Sequence, residues 1–339
     1  MKVTLGARPV GDGEPAFVLA EVASAHQGDP AQAFALARAA RVAGADGVKF
    51  QLFRAAELVA PTDTRFATFS KIELSEADWA RVLKKAGELP LAVLADVFDA
   101  PSLTLGETHR AAAYKIHSTD MENPDFIRRA ASTGKPLLLS TGGLGLGAVE
   151  RALEAARSEG NSQLIVLHGV QNFPTRIEDA HLRYLATLKA TFGFPVGFLD
   201  HVDGGSPMAR VLPALAVALG ADLVEKHLTL DRKARGFDWE SSLDPEPFRQ
   251  MVELVREAER GFGSAVLKLE PSADRYHRLM RRAVLARVPL RKGEPLSPEH
   301  IALLRSEDGL APCDAPRILG RKARGDIPAW TPLVEEFFE

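Results

Sequence analysis

Short apolar runs alternate along most of the chain with longer segments whose apolar residues recur every three or four positions. FVLAEV (17–22), GVKFQLF (47–53), PLAVLADVF (90–98), AAYKIHS (112–118), KPLLLSTGG (135–143), SQLIVLHG (162–169), FPVGFLDH (194–201) and ADLVEKH (221–227) read as strands. PAQAFALARAARVAG, SEADWARVLKKAGEL, PDFIRRAASTG, LGAVERALEAARSEG, DAHLRYLATLKATFG, SPMARVLPALAVALG and PEPFRQMVELVREAERGFG read as the helices between and after them. Near-continuous apolar strands alternating with helices predict a parallel sheet. Eight such units within about 260 residues predict a closed (β/α)8 barrel, a TIM barrel, over residues 1–263. The first strand–helix turn carries no G-x-G-x-x-G, which excludes the dinucleotide-binding form of an open α/β sheet.

After residue 263 the pattern changes. A polar, basic connector (264–282) leads into short apolar pieces punctuated by Gly and Pro. These predict a small, mostly-β module over 283–339. So short a module has a small core, and we expect it to lean on the barrel or on a neighbouring subunit.

Composition narrows the partners. The 339 residues carry a net charge of -3, which gives no general reason to expect nucleic acid or an anionic membrane. The single cysteine, Cys313, excludes an internal disulfide framework and any multi-cysteine metal site, and fits a reducing cytoplasm. The N-terminus lacks an apolar core of signal-peptide length, and no long apolar run follows. The expectation is a soluble cytoplasmic protein without a nucleic-acid or membrane partner.

Barrel enzymes carry their chemistry at the C-terminal ends of the strands. Here those ends hold Glu21; Lys49 and Gln51; Asp96 and Asp99; Lys115, His117, Ser118 and Asp120; Ser140 and Thr141; His168 and Gln171; Asp200 and His201; and Glu225, Lys226 and His227. His201 and His227 end the seventh and eighth strands, neighbours in a closed barrel. Two imidazoles there are either ligands of one divalent cation or structural core groups. Lys49 and Lys115 suit a phosphate or carboxylate. Ser140-Thr141-Gly142-Gly143 is either an anion site at a helix N-terminus or a plain glycine turn. Glu21, at the end of an apolar strand, needs a partner if buried and is a candidate acid/base or hydroxyl ligand.

EVASAHQGD, AGADGVKFQLF, YKIHSTDMENPDFIRRAASTGKPLLLSTGG, FPVGFLDH and ALGADLVEKHLTLD resemble, in order and spacing, the sialic acid (N-acetylneuraminate) synthase family. AVLARVPLRKGEPLSPEHIALLR and ILGRKARGDIPAWTPL are similar to that family's antifreeze-like (SAF) domain. The resemblance implies a transferase that condenses phosphoenolpyruvate with the open-chain aldehyde of an N-acylated hexosamine, giving a nine-carbon 2-keto sugar acid and phosphate. It implies Mn2+, with Mg2+ or Co2+ as substitutes, on His201 and His227. It assigns Glu21 to sugar binding and proton handling, and Lys49, Lys115, Ser118 and Ser140 to phosphoenolpyruvate. It further implies that Gln51 lines the cleft and that Asp238 meets sugar hydroxyls. By the same resemblance Arg305 would reach the N-acyl group in a partner's site, which implies a domain-swapped homodimer.

The sequence departs from the family pattern at several of these positions. Ala25 stands for an asparagine and Leu199 for a serine. Asp96 stands for a threonine expected to contact phosphate. Asp120 replaces a glutamate, while Gln171 and Phe173 replace an asparagine and a tyrosine on the substrate side. These changes keep three other readings open: a legionaminic or pseudaminic acid synthase on another acceptor, a barrel lyase or aldolase, and a sugar-binding protein with a remodelled phosphate site.

Overall fold

The computed structural model describes residues 1–264, 266, 268 and 270–339. Of the connector expected over 264–282, Ala265, Leu267 and Leu269 lie outside the described residues. The chain divides into two units, Met1–Gly263 and Ser264–Glu339.

An antiparallel hairpin, β1 (Lys2–Leu5) and β2 (Arg8–Gly11), opens the first unit. Gly6 turns it with a φ of +62°, a conformation that glycine adopts without steric cost. Eight parallel strands follow: β3 (Phe17–Ala23), β4 (Gly47–Leu52), β5 (Ala92–Val97), β6 (Ala113–Ile116), β7 (Leu137–Ser140), β8 (Leu164–His168), β9 (Val196–Asp200) and β10 (Leu223–His227). They pair in sequence order, and β10 closes onto β3. The expected barrel is therefore the observed one.

Alternation along the strands sorts their side chains into two layers. Val18, Ala20, Val48, Phe50, Val93, Ala95, Leu137, Leu139, Val166 and Val224 pack outward against the helical shell. Phe17, Leu19, Leu94, Ala113, Leu138, Ile165, Leu167, Leu199 and Leu223 fill the interior. Val3, Leu5 and Val10 of the hairpin join that interior cluster and close the barrel's N-terminal end. Two residues further along several inward-facing rows, the apolar residues give way to charged or polar ones. Leu19 is followed by Glu21, Leu94 by Asp96, Ala113 by Lys115, Leu138 by Ser140, Leu199 by His201 and Leu223 by Glu225.

Helices follow the strands largely where the apolar period indicated. The helix after β5, Ala100–Thr108, carries no clear apolar stripe and starts instead on its cap. Asp99 Oδ1 accepts the Ser102 N–H at 2.5 Å, and a proline stands in the first turn.

The second unit holds one antiparallel pair, β11 (Arg282–Ala286) and β12 (Ile301–Arg305). Isolated bridges link Leu285 to Pro332, Leu290 to Ile327, Pro295 to Lys322 and Ala323 to Phe338. Val284, Leu290, Leu296, Ile318, Ile327, Leu333 and Phe338 form its own core. The polar connector contains a helix, Pro271–Met280, none of whose side chains is buried.

Candidate active site

The C-terminal end of the barrel encloses five ionisable side chains in mutual contact. Lys49 Nζ lies 2.5 Å from Glu21 Oε2, 2.7 Å from Glu225 Oε2 and 3.7 Å from Asp96 Oδ2. Lys115 Nζ lies 3.0 Å from Glu225 Oε1 and 3.4 Å from Asp96 Oδ2. All five residues are buried. Strand register sets them side by side: Glu21 pairs with Lys49, Gln51 with Asp96, and Asp96 with Lys115. Burying ions costs several kcal/mol each, and a hydrophobic cluster of equal volume is often at least as stable. Such a constellation at a barrel's C-terminal end is the mark of a site.

The charges are unevenly held. Glu225 accepts hydrogen bonds from both lysines. Burial would raise its carboxyl, but Lys115 and Lys49 prevail and hold it well below the usual range. Burial likewise opposes the charge on Lys115, yet Glu225, Asp96 and Glu21 hold its ammonium above its ordinary value. Glu21 goes the other way. Burial pushes its carboxyl up to about 8 against the pull of Lys49, and the negative charge of Glu225 adds to the rise. Glu225 therefore stays ionised at neutral pH, and Glu21 carries the proton. Glu21 Oε1 accepts the Ala23 N–H at 2.7 Å, which fixes its orientation.

His201 and His227 do converge, with ring centroids 5.3 Å apart. His201 Nδ1 lies 2.8 Å from the Val170 carbonyl oxygen. It therefore donates there, and the neutral ring keeps its lone pair on Nε2. Burial pushes His201 down to about 4. Burial, reinforced by His201, holds His227 well below its ordinary value. Both rings are thus neutral, the form that ligates metals. His227 Nδ1 is buried without a hydrogen-bond partner. Among the described residues no group of three or more His, Cys, Asp and Glu side chains is arranged to hold a metal. The pair fits an open site with two protein ligands, with water and substrate as the remaining donors. The Phe173 ring packs 4.4 Å from His201 and 6.0 Å from His227.

Other expected residues gather at the same end. Ser118 and Ser140 are buried, and Ser140 Oγ lacks a hydrogen-bond partner. Asp120 accepts from Thr119 Oγ1 at 3.0 Å, and burial raises its carboxyl. Asp238 Oδ2 accepts the Ser24 N–H at 3.1 Å, and burial raises it too. Gln171 lies over Gly142, so closely that a Cβ there would meet its Cγ at 2.6 Å. Leu199 fills the barrel interior. Arg305 ends β12 in the second unit and is exposed.

Three strand-end residues, Lys226, Asp200 and His168, turn away from the site. Lys226 alternates outward from Glu225 and His227, donates to the Val202 carbonyl at 2.9 Å and lies 3.0 Å from Asp200. His168 also faces the helices, where it packs on Tyr184 and bonds the Ala180 carbonyl oxygen at 3.0 Å. Glu225 stands at a strand end, a position that by itself assigns it no role. Its two-residue offset from His227 was the signal that it faces inward.

Fold and site together define a (β/α)8 barrel with a buried cluster of paired charges beside two neutral histidines at the C-terminal end of its strands. Residues 36–266 match the NeuB family, and residues 281–339 match a SAF domain. The chain belongs to the NeuB family. It is 33% identical to the N,N'-diacetyllegionaminic acid synthase of Legionella pneumophila, over 98% of each chain. It is 31% identical to a pseudaminic acid synthase of Campylobacter jejuni, over 95% of this chain and 96% of that protein. The crystal structure of an N-acetylneuraminic acid synthetase from Leptospira borgpetersenii superposes with a TM-score of 0.75 at 28% identity, covering 81% of this chain and 95% of that one. Among the described residues no helix is long and apolar enough to cross a membrane.

Proposed function

We propose that the protein is a nonulosonate synthase. In this reading phosphoenolpyruvate, an N-acylated hexosamine in its aldehyde form and one water give a nine-carbon 2-keto sugar acid and phosphate. The observation that carries the reading is the juxtaposition, in a NeuB-family barrel, of the Lys49–Lys115 pair with the neutral His201–His227 pair.

Lys49 and Lys115 supply positive charge for the phosphate and carboxylate of the donor. Ser118 and Ser140 add hydroxyl contacts. The free Ser140 Oγ supports this, because a buried hydroxyl without a partner is completed by a ligand. His201 and His227 would hold Mn2+, or Mg2+ or Co2+ in its place. When bound, the cation polarises the aldehyde carbonyl. Glu21, protonated at neutral pH, is poised to give a proton to the aldehyde oxygen as the new carbon–carbon bond forms. Gln51, Asp120, Gln171, Phe173 and Asp238 shape the acceptor side. The proposal extends to a cytoplasmic, domain-swapped homodimer in which Arg305 contacts the N-acyl group in the partner's site.

A second reading is the same reaction on an acceptor of the legionaminic or pseudaminic type. Phe173 favours it, because an apolar ring without a hydroxyl lies against both histidines. Phosphate release from phosphoenolpyruvate with Mn2+ tests both, across N-acetylated hexosamines, their 6-phosphates and 2,4-diacetamido hexoses. Release that depends on one acceptor supports the synthase and identifies the substrate. Absence of release with every acceptor, from folded and metal-loaded protein, contradicts it.

A further inference from the structure

Asp96 is the least satisfied charge in the barrel. Its side chain is fully buried, and neither carboxylate oxygen has a hydrogen-bond partner. Oδ2 stands 3.4 Å from Lys115 Nζ and 3.7 Å from Lys49 Nζ. Glu225 meets the same two ammonium groups at 3.0 and 2.7 Å with proper hydrogen-bond geometry. One carboxylate is thus bound firmly to both lysines, and another is held near them by charge alone. Glu21 carries a proton, so Lys49 and Lys115 are balanced by the two remaining carboxylates, those of Asp96 and Glu225. The pocket therefore has no surplus positive charge for an incoming anion.

We propose that Asp96 is an internal counter-anion, occupying the electrostatic place beside Lys49 and Lys115 that the anionic group of the donor must take, and so setting the pocket's affinity for that group. This rests on the reading of the lysine pair as the donor site. Hydrogen bonding decides which carboxylate yields. Displacing Glu225 breaks two charge-assisted hydrogen bonds, whereas displacing Asp96 breaks none. The ligand class is a phosphate or carboxylate anion, and the penalty grows with its charge. Asp96 therefore selects against dianions more strongly than against monoanions. At an effective dielectric near ~20, one unit of opposing charge even about 10 Å from the bound anion weakens its binding roughly tenfold, and a closer one by more.

The test is equilibrium binding by calorimetry, at low salt and fixed pH, with metal-free protein. Wild type, Asp96→Asn and Asp96→Thr are titrated with phosphoenolpyruvate, inorganic phosphate and pyruvate. Calorimetric melting establishes that each variant is folded. Both substitutions are expected to tighten phosphoenolpyruvate and phosphate roughly tenfold or more, and pyruvate by less. A structural role in spacing the lysines predicts the opposite sign. Unchanged or weaker binding in both folded variants, against measurable binding in wild type, overturns the assignment and leaves the synthase reading intact. No binding of any anion by any of the three proteins overturns both.

Discussion

Replacing Glu225 by Gln probes the charge balance that defines the site. The amide is nearly isosteric and can still accept hydrogen bonds through its oxygen, so the substitution chiefly removes a charge. In the wild type Glu225 accepts from Lys49 at 2.7 Å and from Lys115 at 3.0 Å. Lys115 then keeps only Asp96, at 3.4 Å and outside hydrogen-bond geometry. Removing one partner of a buried ion pair costs about 3–5 kcal/mol. Part of this is recovered, because the Glu225 charge is one reason Glu21 holds its proton. Without it Glu21 ionises more readily and replaces the missing negative charge. The expected loss therefore lies near the lower end, about 3 kcal/mol, or roughly 6–12 °C in the barrel's melting temperature. Scanning calorimetry of the full chain reads it. Lys115→Met and the double variant complete a cycle, in which the double variant should cost less than the sum of the single changes. A shift below about 2 °C for Glu225→Gln, or strict additivity in the cycle, would refute Glu225 as the shared counter-charge.

Further expectations concern protons, metal and the second unit. The Glu21 carboxyl titrates near 8 in the folded chain against an ordinary 4.5, so the folded state binds the extra proton. Its contribution to stability is complete below about pH 4.5 and is lost as pH rises through about 8. The melting temperature of wild type minus that of Glu21→Gln should fall across that window. His26 and His201 are pushed down to about 4, and His227 is also lowered, so they contribute in the opposite direction, but they cancel in this difference. A flat difference contradicts the raised value. His201→Ala and His227→Ala should each weaken Mn2+ binding, read by electron paramagnetic resonance, by more than the roughly 10–100-fold typical of an outer-shell loss. Unchanged affinity in either would remove that histidine from the metal site. Arg305→Ala should lose turnover without lowering the barrel's melting temperature. Mixing and re-equilibrating it with His201→Ala should restore activity if the arginine serves a partner's site, and restore none if it serves its own.

The barrel was legible because its signal is local and repeated. Each strand is a short apolar run, and seven of the intervening or closing helices carry their own apolar period. The hairpin at Lys2–Gly11 was not read as structure, because two four-residue strands are too short for periodicity to register. The helix at Pro271–Met280 was missed because it is short and mostly polar, so that Tyr276, Leu279 and Met280 give too brief an apolar pattern to register.

Within the site, strand ends were easier to find than strand faces. Lys226 and Glu225 are adjacent in sequence yet point to opposite layers, and only period-two counting from Leu223 separates them. His168 stands at a strand end like His201, but its alternation turns it into the helical shell. The pairing of Lys49 with Glu225 joins residues on the second and eighth strands of the barrel. No local pattern encodes so long a separation, which arises only once β10 closes onto β3. The unequal hold on Asp96 and Glu225 depends on tenths of an ångström and on bond angles, and these have no sequence signature.

The central claim is that this barrel end joins the three carbons of phosphoenolpyruvate to an acceptor sugar. The direct measurement is mass spectrometry of the products formed from uniformly 13C-labelled phosphoenolpyruvate with Mn2+ and the acceptor panel, with phosphate measured in the same samples. The account predicts that all the label appears in a sugar acid, in amounts equal to the phosphate released. Phosphate accompanied by labelled pyruvate and no labelled sugar acid would contradict it.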